Sequence, residues 1–416
     1  MRELLKWEPQ MRLKMLVAAA VAAFAAFADL APTEHVVHRG WGLTWPENSM
    51  PALKRCWETG FIFFCNAQAK IQEWRKFVPD GKVAAEAPVR VCGADVVVSV
   101  VQDAPGYNSW PMVQTLGGKV VCAYSKGSGH TIGEGARGVY ARTSSDGGAT
   151  WGTEVCVAND PSVGEVTVGK GLDEGGAMLL WVRRWGGRKG HDLYRTADGA
   201  TFDRIASPEL SPMPMQVTDV FSVPGAGLMS LWFAGAYGKS EGGHSWGTLT
   251  SRDNGRTWMQ HTVEADIDKS DWPTELSAVY LGGGRILAVG RSEDGGSQFQ
   301  IVSSDGGKTW KRAKTNIRDV RESTPSLIHD PATGLVANYY YHRGAKKLKR
   351  RTVLADFIFG NPERWPDPET LAEGRETRPY DAGNVNATRC GNRHLLALYT
   401  GTEHDTAVLT IAAPGM

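Results

Sequence analysis

The chain has 416 residues, 22% of them charged, a formal net charge of +1 and 42% hydrophobic residues. That balance excludes a broadly basic nucleic-acid binder and wholesale disorder. Glycine (49) and tryptophan (15) are in excess, which predicts many tight turns with an aromatic near each. In chain order, the first feature is an address. Arg12 and Lys14 precede an apolar stretch of 12 residues, Met15 to Ala26, and Ala26-Phe27-Ala28 is a small-x-small cleavage site. Residues 1–28 therefore read as a secretory signal peptide and predict a secreted or periplasmic mature protein. The apolar stretch is shorter than the ~20 residues that span a bilayer, and no later stretch is long enough, so no membrane span is expected. Six cysteines follow, at 56, 65, 92, 122, 156 and 390, without a C-x-x-C pair, so no metal site is expected. Disulfides and small buried hydrophobes both remain open for them.

Residues 29–88 form a lead-in whose fold the sequence leaves open. His38-Arg39-Gly40, Pro46-Glu47-Asn48-Ser49, Ala52 and Gly60 resemble the opening of glycerophosphodiester phosphodiesterases, in which such a segment starts a TIM barrel. The resemblance covers residues 35–64 alone. That family needs a Glu-x-Asp metal pair next, and this chain reads Phe63-Phe64-Cys65-Asn66-Ala67-Gln68-Ala69-Lys70, with no acid. A barrel also needs ~250 residues. A remnant without phosphodiesterase activity is expected.

The rest of the chain repeats itself. Ser144-Ser145-Asp146-Gly147-Gly148-Ala149-Thr150-Trp151 recurs at Ser251 to Trp258 and at Ser303 to Trp310, with a shortened copy at Thr196 to Phe202. The aspartates stand at 146, 198, 253 and 305. This is the Asp-box, S-x-D-x-G-x-T-W. Its chemistry is a hairpin turn: Asp accepts backbone N–H groups, Gly supplies φ > 0, and Trp packs beneath a neighbouring unit. No catalytic role is assigned to it. Short runs rich in Val, Ile, Tyr and Leu flank each box, and four strands in ~50 residues make a β-propeller blade. A fifth, degenerate unit spans Pro325 to Trp365. A sixth combines Val385 to Thr410 with an early strand near Val96 to Val101. The prediction is an all-β, six-bladed β-propeller over residues 89–416, closed by strands from both ends of that range.

Asp-boxes on such a propeller look like the sialidase superfamily. Exo-sialidases of that group clamp the sialic acid carboxylate with three arginines and use a Tyr/Glu nucleophile pair and an Asp acid. Where their first arginine sits in an R-I-P motif, this chain reads Asn108-Ser109-Trp110-Pro111-Met112, and Gly127-Ser128-Gly129-His130 replaces the Asp-bearing loop. Those departures resemble the endosialidases of bacteriophage tailspikes, which cut polysialic acid with one Glu, two Arg and a His beside a Trp. The resemblance implies Glu275, Arg291, Arg343 and His130 as catalytic residues, with Trp110 and Tyr341 contacting substrate. Gly383-Asn384-Val385-Asn386-Ala387 opens the last unit in a similar way.

The chemistry suits those residue types. Two guanidiniums can hold a carboxylate through charge-assisted bonds. Glu275 is the acid/base candidate; a strand-edge carboxylate orienting an arginine is the alternative. Trp110 can stack on a sugar, and either Tyr340 or Tyr341 faces inward in an alternating strand. The basic run Lys346 to Arg351 reads either as a steering patch or as a solvated strand edge. The expectation is a glycoside hydrolase of sialylated glycans, preferably endo-acting on polysialic acid, without a cofactor. An exo-sialidase and a non-catalytic glycan-binding propeller are the alternatives.

Overall fold

Runs such as Val96–Gln102 and Arg285–Ser292 are β-branched or apolar and end at turn residues, and each is a strand in the computed structural model. Residues 96–416 are described apart from 133–134, 188, 240, 295, 321–322, 375, 377 and 402–404. Before residue 96 only short backbone strands are. The chain divides into two units, Met1–Asp95 and Val96–Met416.

In the first unit, Arg55–Cys56, Phe61–Cys65, Ile71–Phe77 and Val83–Glu86 pair antiparallel in chain order. A TIM barrel opens with parallel strands joined by a helix, so this pairing departs from the phosphodiesterase-like start. His38-Arg39-Gly40, the turn at 46–49 and the signal sequence lie outside the described residues.

In the second unit the strands fall into consecutive antiparallel meanders. The first is Tyr107–Leu116, Lys119–Gly127, Gly138–Ser144 and Val155–Ala158. The second runs from Val163–Leu172 to Asp203–Ala206, the third from Gln216–Val223 to Met259–Ile267. The fourth runs from Pro273–Gly282 to Lys311–Lys314, the fifth from Ser326–Asp330 to Glu369–Glu373. The closing meander is Ala382–Cys390, Arg393–Gly401 and Thr406–Pro414, and its outer strand is Val96–Gln102. The two ends of the unit thus share one sheet. Second strands such as Met178–Gly186 are buried almost end to end because both faces pack on neighbouring meanders.

Bonds between first strands pass from meander to meander and return to their start. The Thr167 hydroxyl donates to the Trp110 carbonyl, the Lys170 N–H to Asp219 (3.4 Å), and the Ser277 hydroxyl to Asp219 (3.2 Å). The Leu327 N–H donates to Ser277 (3.0 Å), the Ala387 N–H to Ser326 (3.0 Å), and the Val113 N–H to Asn386 (2.9 Å). Where the second and third meanders meet, only glycine fits. A Cβ on Gly171 would stand 2.0 Å from the Val220 carbonyl oxygen, which is backbone and cannot yield. Gly171→Ala should therefore destabilise the protein by about 3 kcal/mol, at the upper end of overpacking costs. A fall in the urea midpoint checks this, and an unchanged midpoint refutes it.

The Asp-boxes turn the third strand into the fourth as their chemistry requires. Asp305 accepts the Thr309 N–H (2.9 Å) and hydroxyl (2.6 Å), and Ser303 accepts the Gly307 N–H (2.8 Å). Asp146 and Asp253 make the same set. The box glycines have φ near +75 to +95°, and their small size admits the preceding meander: a Cβ on Gly307 would meet Met229, and one on Gly148 would meet Leu395. Trp258 and Trp310 pack on Trp181 and Trp246 of the preceding meanders. First and third strands run in the same direction, so these turns sit at the opposite end of the meander from the starts of the first strands.

Three cysteines lie among the described residues, Cys122, Cys156 and Cys390, and all are free thiols. The basic run forms Lys347–Leu354. Lys349 and Arg351 are buried against Asp319 at 2.6 and 2.5 Å, and Arg350 pairs with Glu369 at 2.7 Å. These three charges are neutralised in place, whereas Lys346 is exposed on the Glu376 carbonyl (2.6 Å) and Lys347 stands 3.8 Å from Glu373 as a solvated edge.

Candidate functional site

The starts of the first strands are irregular in a repeated way. Trp110 and Pro111 together oppose Tyr124, Glu275 and Leu276 oppose Gly290, and Asn384 and Val385 oppose Leu398. Each is a β-bulge, an extra residue that bends the strand and re-aims a side chain. Trp110 (φ +50°), Glu275 (+48°) and Asn384 (+48°) all sit in the left-handed region. Each costs about 1–3 kcal/mol, and the surrounding strands hold it there. All three line one cavity of about 530 Å³, a volume in the range of small-molecule sites.

Glu275, Arg291, Arg343, His130 and Trp110 all face this cavity. Glu275 Oε2 accepts from Arg291 Nη1 (3.0 Å) and from the Thr324 hydroxyl (2.7 Å). Burial by itself would raise its pKa; Arg291, the Thr324 bond and Arg343 outweigh that and hold the carboxyl below its usual value. Glu275 is therefore a carboxylate at neutral pH. Arg291 is gripped from its other side by Glu293, at 3.2 Å from both Nη2 and Nε. With two carboxylates already on its guanidinium, Arg291 orients Glu275 more than it invites a third. Arg343 is differently placed. Its Nε donates to the Ala382 carbonyl (3.0 Å), its Nη2 to Asn384 Oδ1 (2.9 Å), and it lies 5.3 Å from the Tyr380 ring centroid.

His130 ends the Gly-rich turn after Lys119–Gly127. Its Nδ1 is 2.9 Å from the Tyr107 hydroxyl, and its ring lies 5.6 Å from Trp110 and 5.8 Å from Tyr380. Arg137, buried, stacks 4.7 Å over Trp110 from outside the cavity. Burial, helped by Arg343 and Arg137, lowers the His130 pKa to about 4. Burial likewise lowers His191 to about 3 and His394 to about 4, with nearby arginines adding to it. The unfolded chain binds these protons below pH ~6.5, the ordinary imidazole value, while the native state excludes them until about pH 4. The stability they contribute is complete above pH 6.5 and is lost as pH falls toward 4, by up to about 1.4 kcal/mol per pH unit for each histidine. Urea midpoints should fall between pH 6.5 and 4.5, and His191→Asn should flatten that slope. A slope that the substitution leaves unaltered refutes the assignment.

Tyr341 is a correction. It does not face the cavity: it is 1% exposed and its hydroxyl donates to Glu376 at 2.7 Å. Tyr340 is also buried, on Asp319 at 2.9 Å. Both faces of a second strand pack on neighbours, so only residues at or past its end reach the mouth, as Arg343 does. The tyrosines that do line the cavity are Tyr237 and Tyr380.

Arg183, Asp219, Glu293, Tyr237 and Tyr380 line the same cavity without having been singled out in the sequence. Burial raises the pKa of Asp219, opposite in direction to Glu275. A signal for some of these was present. His130, Arg183, Tyr237 and Arg291 stand 16, 15, 16 and 14 positions ahead of box aspartates 146, 198, 253 and 305. The box ends the third strand, so counting back one strand and one loop reaches the mouth.

The sequence settles the kinship at this point. Residues 118–387 match the model of the BNR repeat-like domain. The chain belongs to the BNR repeat-like domain family. No curated protein matches it. Solved structures resembling this BNR-repeat chain include a protein of unknown function from Dyadobacter fermentans DSM 18053, at TM-score 0.63 and 17% identity over 78% of this chain and 99% of that one. The NanB sialidase from Streptococcus pneumoniae aligns at TM-score 0.58 and 12% identity, over 84% and 75%. The phage phi92 endosialidase aligns at 0.57 and 10%, over 77% and 69%. At these identities the likeness shows the fold, a sialidase-like β-propeller. The phosphodiesterase resemblance of residues 35–64 finds no counterpart in these similarities.

Proposed function

We propose that this BNR-repeat protein is a glycoside hydrolase that cleaves sialic acid linkages, preferentially within polysialic acid. The observation that carries the reading is the convergence of Glu275, Arg291, Arg343 and His130, with Trp110, on one cavity. The exported location read from residues 1–28 and a six-bladed ring belong to the same proposal; the closed circuit of first-strand bonds supports the ring. In the reaction the glycosidic C–O bond breaks, water's oxygen bonds to the anomeric carbon, one proton passes from the attacking water to Glu275, and the departing oxygen takes one from solvent water. Arg343 binds the sugar carboxylate. Glu275, ionised and aimed by Arg291 and Thr324, accepts the proton of the attacking water. His130 is uncharged at neutral pH and serves as a hydrogen-bonding group toward the glycan, with the Trp110 indole as a stacking face beside it.

The exo-acting alternative draws on Tyr380, whose ring lies over Arg343 and lines the cavity. In that reading Tyr380, rather than Tyr340 or Tyr341, is the tyrosine available to the sugar. Digestion of polysialic acid separates the two. Oligomers as first products support endo cleavage, and free monomer from the outset supports exo cleavage. Retained binding of polysialic acid with no product from it or from a fluorogenic sialoside leaves a glycan-binding propeller and overturns the hydrolase reading.

A further inference from the structure

Arg183 is the cavity's unexplained charge. It lies near the end of Met178–Gly186, the second strand of its meander, as Arg291 does in Arg285–Ser292. It is 6% exposed and lines the cavity. Its neighbour Arg184 points the other way and pairs with Asp192 at 2.8 Å. Arg291 has two glutamates, and Arg343 has the Ala382 carbonyl and Asn384. Among the described residues Arg183 has neither an ion pair nor a hydrogen-bond acceptor. Its contact is the Trp185 ring, 4.5 Å away, which Lys189 also approaches at 4.4 Å. His191, its partner across the strand pair, is buried, and an imidazole carries no negative charge to set against a guanidinium. Lys269, at the start of a short turn of helix, adds a second cation to the lining. The cost of a desolvated guanidinium without an acceptor is recovered when an anion arrives.

We propose that Arg183, with Trp185 and Lys269, forms a second anion subsite that takes the carboxylate of a neighbouring acidic sugar while the Glu275–Arg343 centre holds the first. The site then recognises glycans with at least two successive acidic units, with Trp185 holding the Arg183 guanidinium in place from behind through their 4.5 Å stacking contact. This rests on the hydrolase reading only for the identity of the first sugar.

Thio-linked ligands, which resist hydrolysis, give the test by calorimetry: a monosialoside with one carboxylate, a disialoside with two, and mono- and digalacturonate as acidic sugars without sialic acid. The native protein is expected to prefer a two-carboxylate ligand over its one-carboxylate counterpart by tenfold or more. Arg183→Gln should reduce that ratio about tenfold, and Arg183→Lys should hold an intermediate value. In the native protein the ratio should also fall as salt is raised, a readout that stands if the Gln variant does not fold. Sialosides that fail to bind, with a digalacturonate preference that Arg183→Gln removes, keep the subsite and overturn the sialic acid reading. A ratio that is the same in the native and Gln proteins for both ligand pairs, a salt-independent ratio, or no binding of any ligand overturns the subsite.

Discussion

Glu275→Gln is expected to lower kcat on polysialic acid by about 10²–10⁴-fold, the usual contribution of a positioned general base. The substitution keeps the size of the side chain and a carbonyl oxygen for Thr324 and Arg291, which contact Oε2 at 2.7 and 3.0 Å. What it removes is the negative charge and the basic lone pair that Arg291 and Arg343 maintain at neutral pH. Arg291 keeps Glu293, so the local ion pairing survives in part. The change should therefore fall on kcat with little effect on KM, since the amide neither adds bulk nor withdraws the carboxylate-binding cation. Single-turnover rates on a defined oligomer make the comparison. A kcat within about threefold of the native value would sink the assignment of Glu275 and leave it as the strand-edge carboxylate that orients Arg291.

Arg343→Gln should act on binding. A guanidinium that meets a carboxylate in a desolvated mouth is worth about 3 kcal/mol when truncated, so kcat/KM should drop on the order of 10²-fold. The Ala382 carbonyl and Asn384 would also lose their partner, so the loss needs a control that separates shape from charge. Polysialic acid with its carboxylates converted to amides supplies it. Amidation should cost the native protein about 10²-fold more than it costs the variant, whose remaining loss, about tenfold, belongs to the carboxylate at Arg183. Additive losses, with the variant as sensitive to amidation as the native protein, would show that Arg343 does not meet the substrate carboxylate.

The repeat architecture was legible from sequence because a hairpin turn is local. Asp305, Thr309, Gly306 and Gly307 satisfy one another within a few residues, so the motif specifies its own conformation wherever it stands. The strand pairs around it follow from alternation and turn spacing. Closure of the ring by Val96–Gln102 against Thr406–Pro414 was also within reach, because the unit count left one strand short at the end and one over at the start. The resemblance to endosialidases, not the repeat, singled out Glu275, Arg291, Arg343, His130 and Trp110, and all five line the one cavity.

The rest needed the tertiary structure. Alternation expects Tyr340 or Tyr341 to face the site, yet a second strand packs on both sides, and Asp319 holds Tyr340 and Glu376 holds Tyr341 away from the mouth. The bulges at Trp110, Glu275 and Asn384 leave no pattern in composition, since an extra residue in a strand is defined only against its partner. Within the basic run, Lys349, Arg350 and Arg351 are indistinguishable from surface charges in one dimension and are neutralised by Asp319 and Glu369 in three. Arg183 resembled any strand-end arginine until the absence of an acceptor around it was visible among the described residues. The sequence by itself determined the turns, the strands and the repeat because these rest on contacts within a few residues. Tertiary structure alone decided which carboxylate reaches which arginine and which arginine is left facing the cavity, because charge pairing depends on neighbours in different strands and loops, such as Thr324 beside Glu275 and Asp319 beside Lys349 and Arg351, that only strand pairing and bulges bring together.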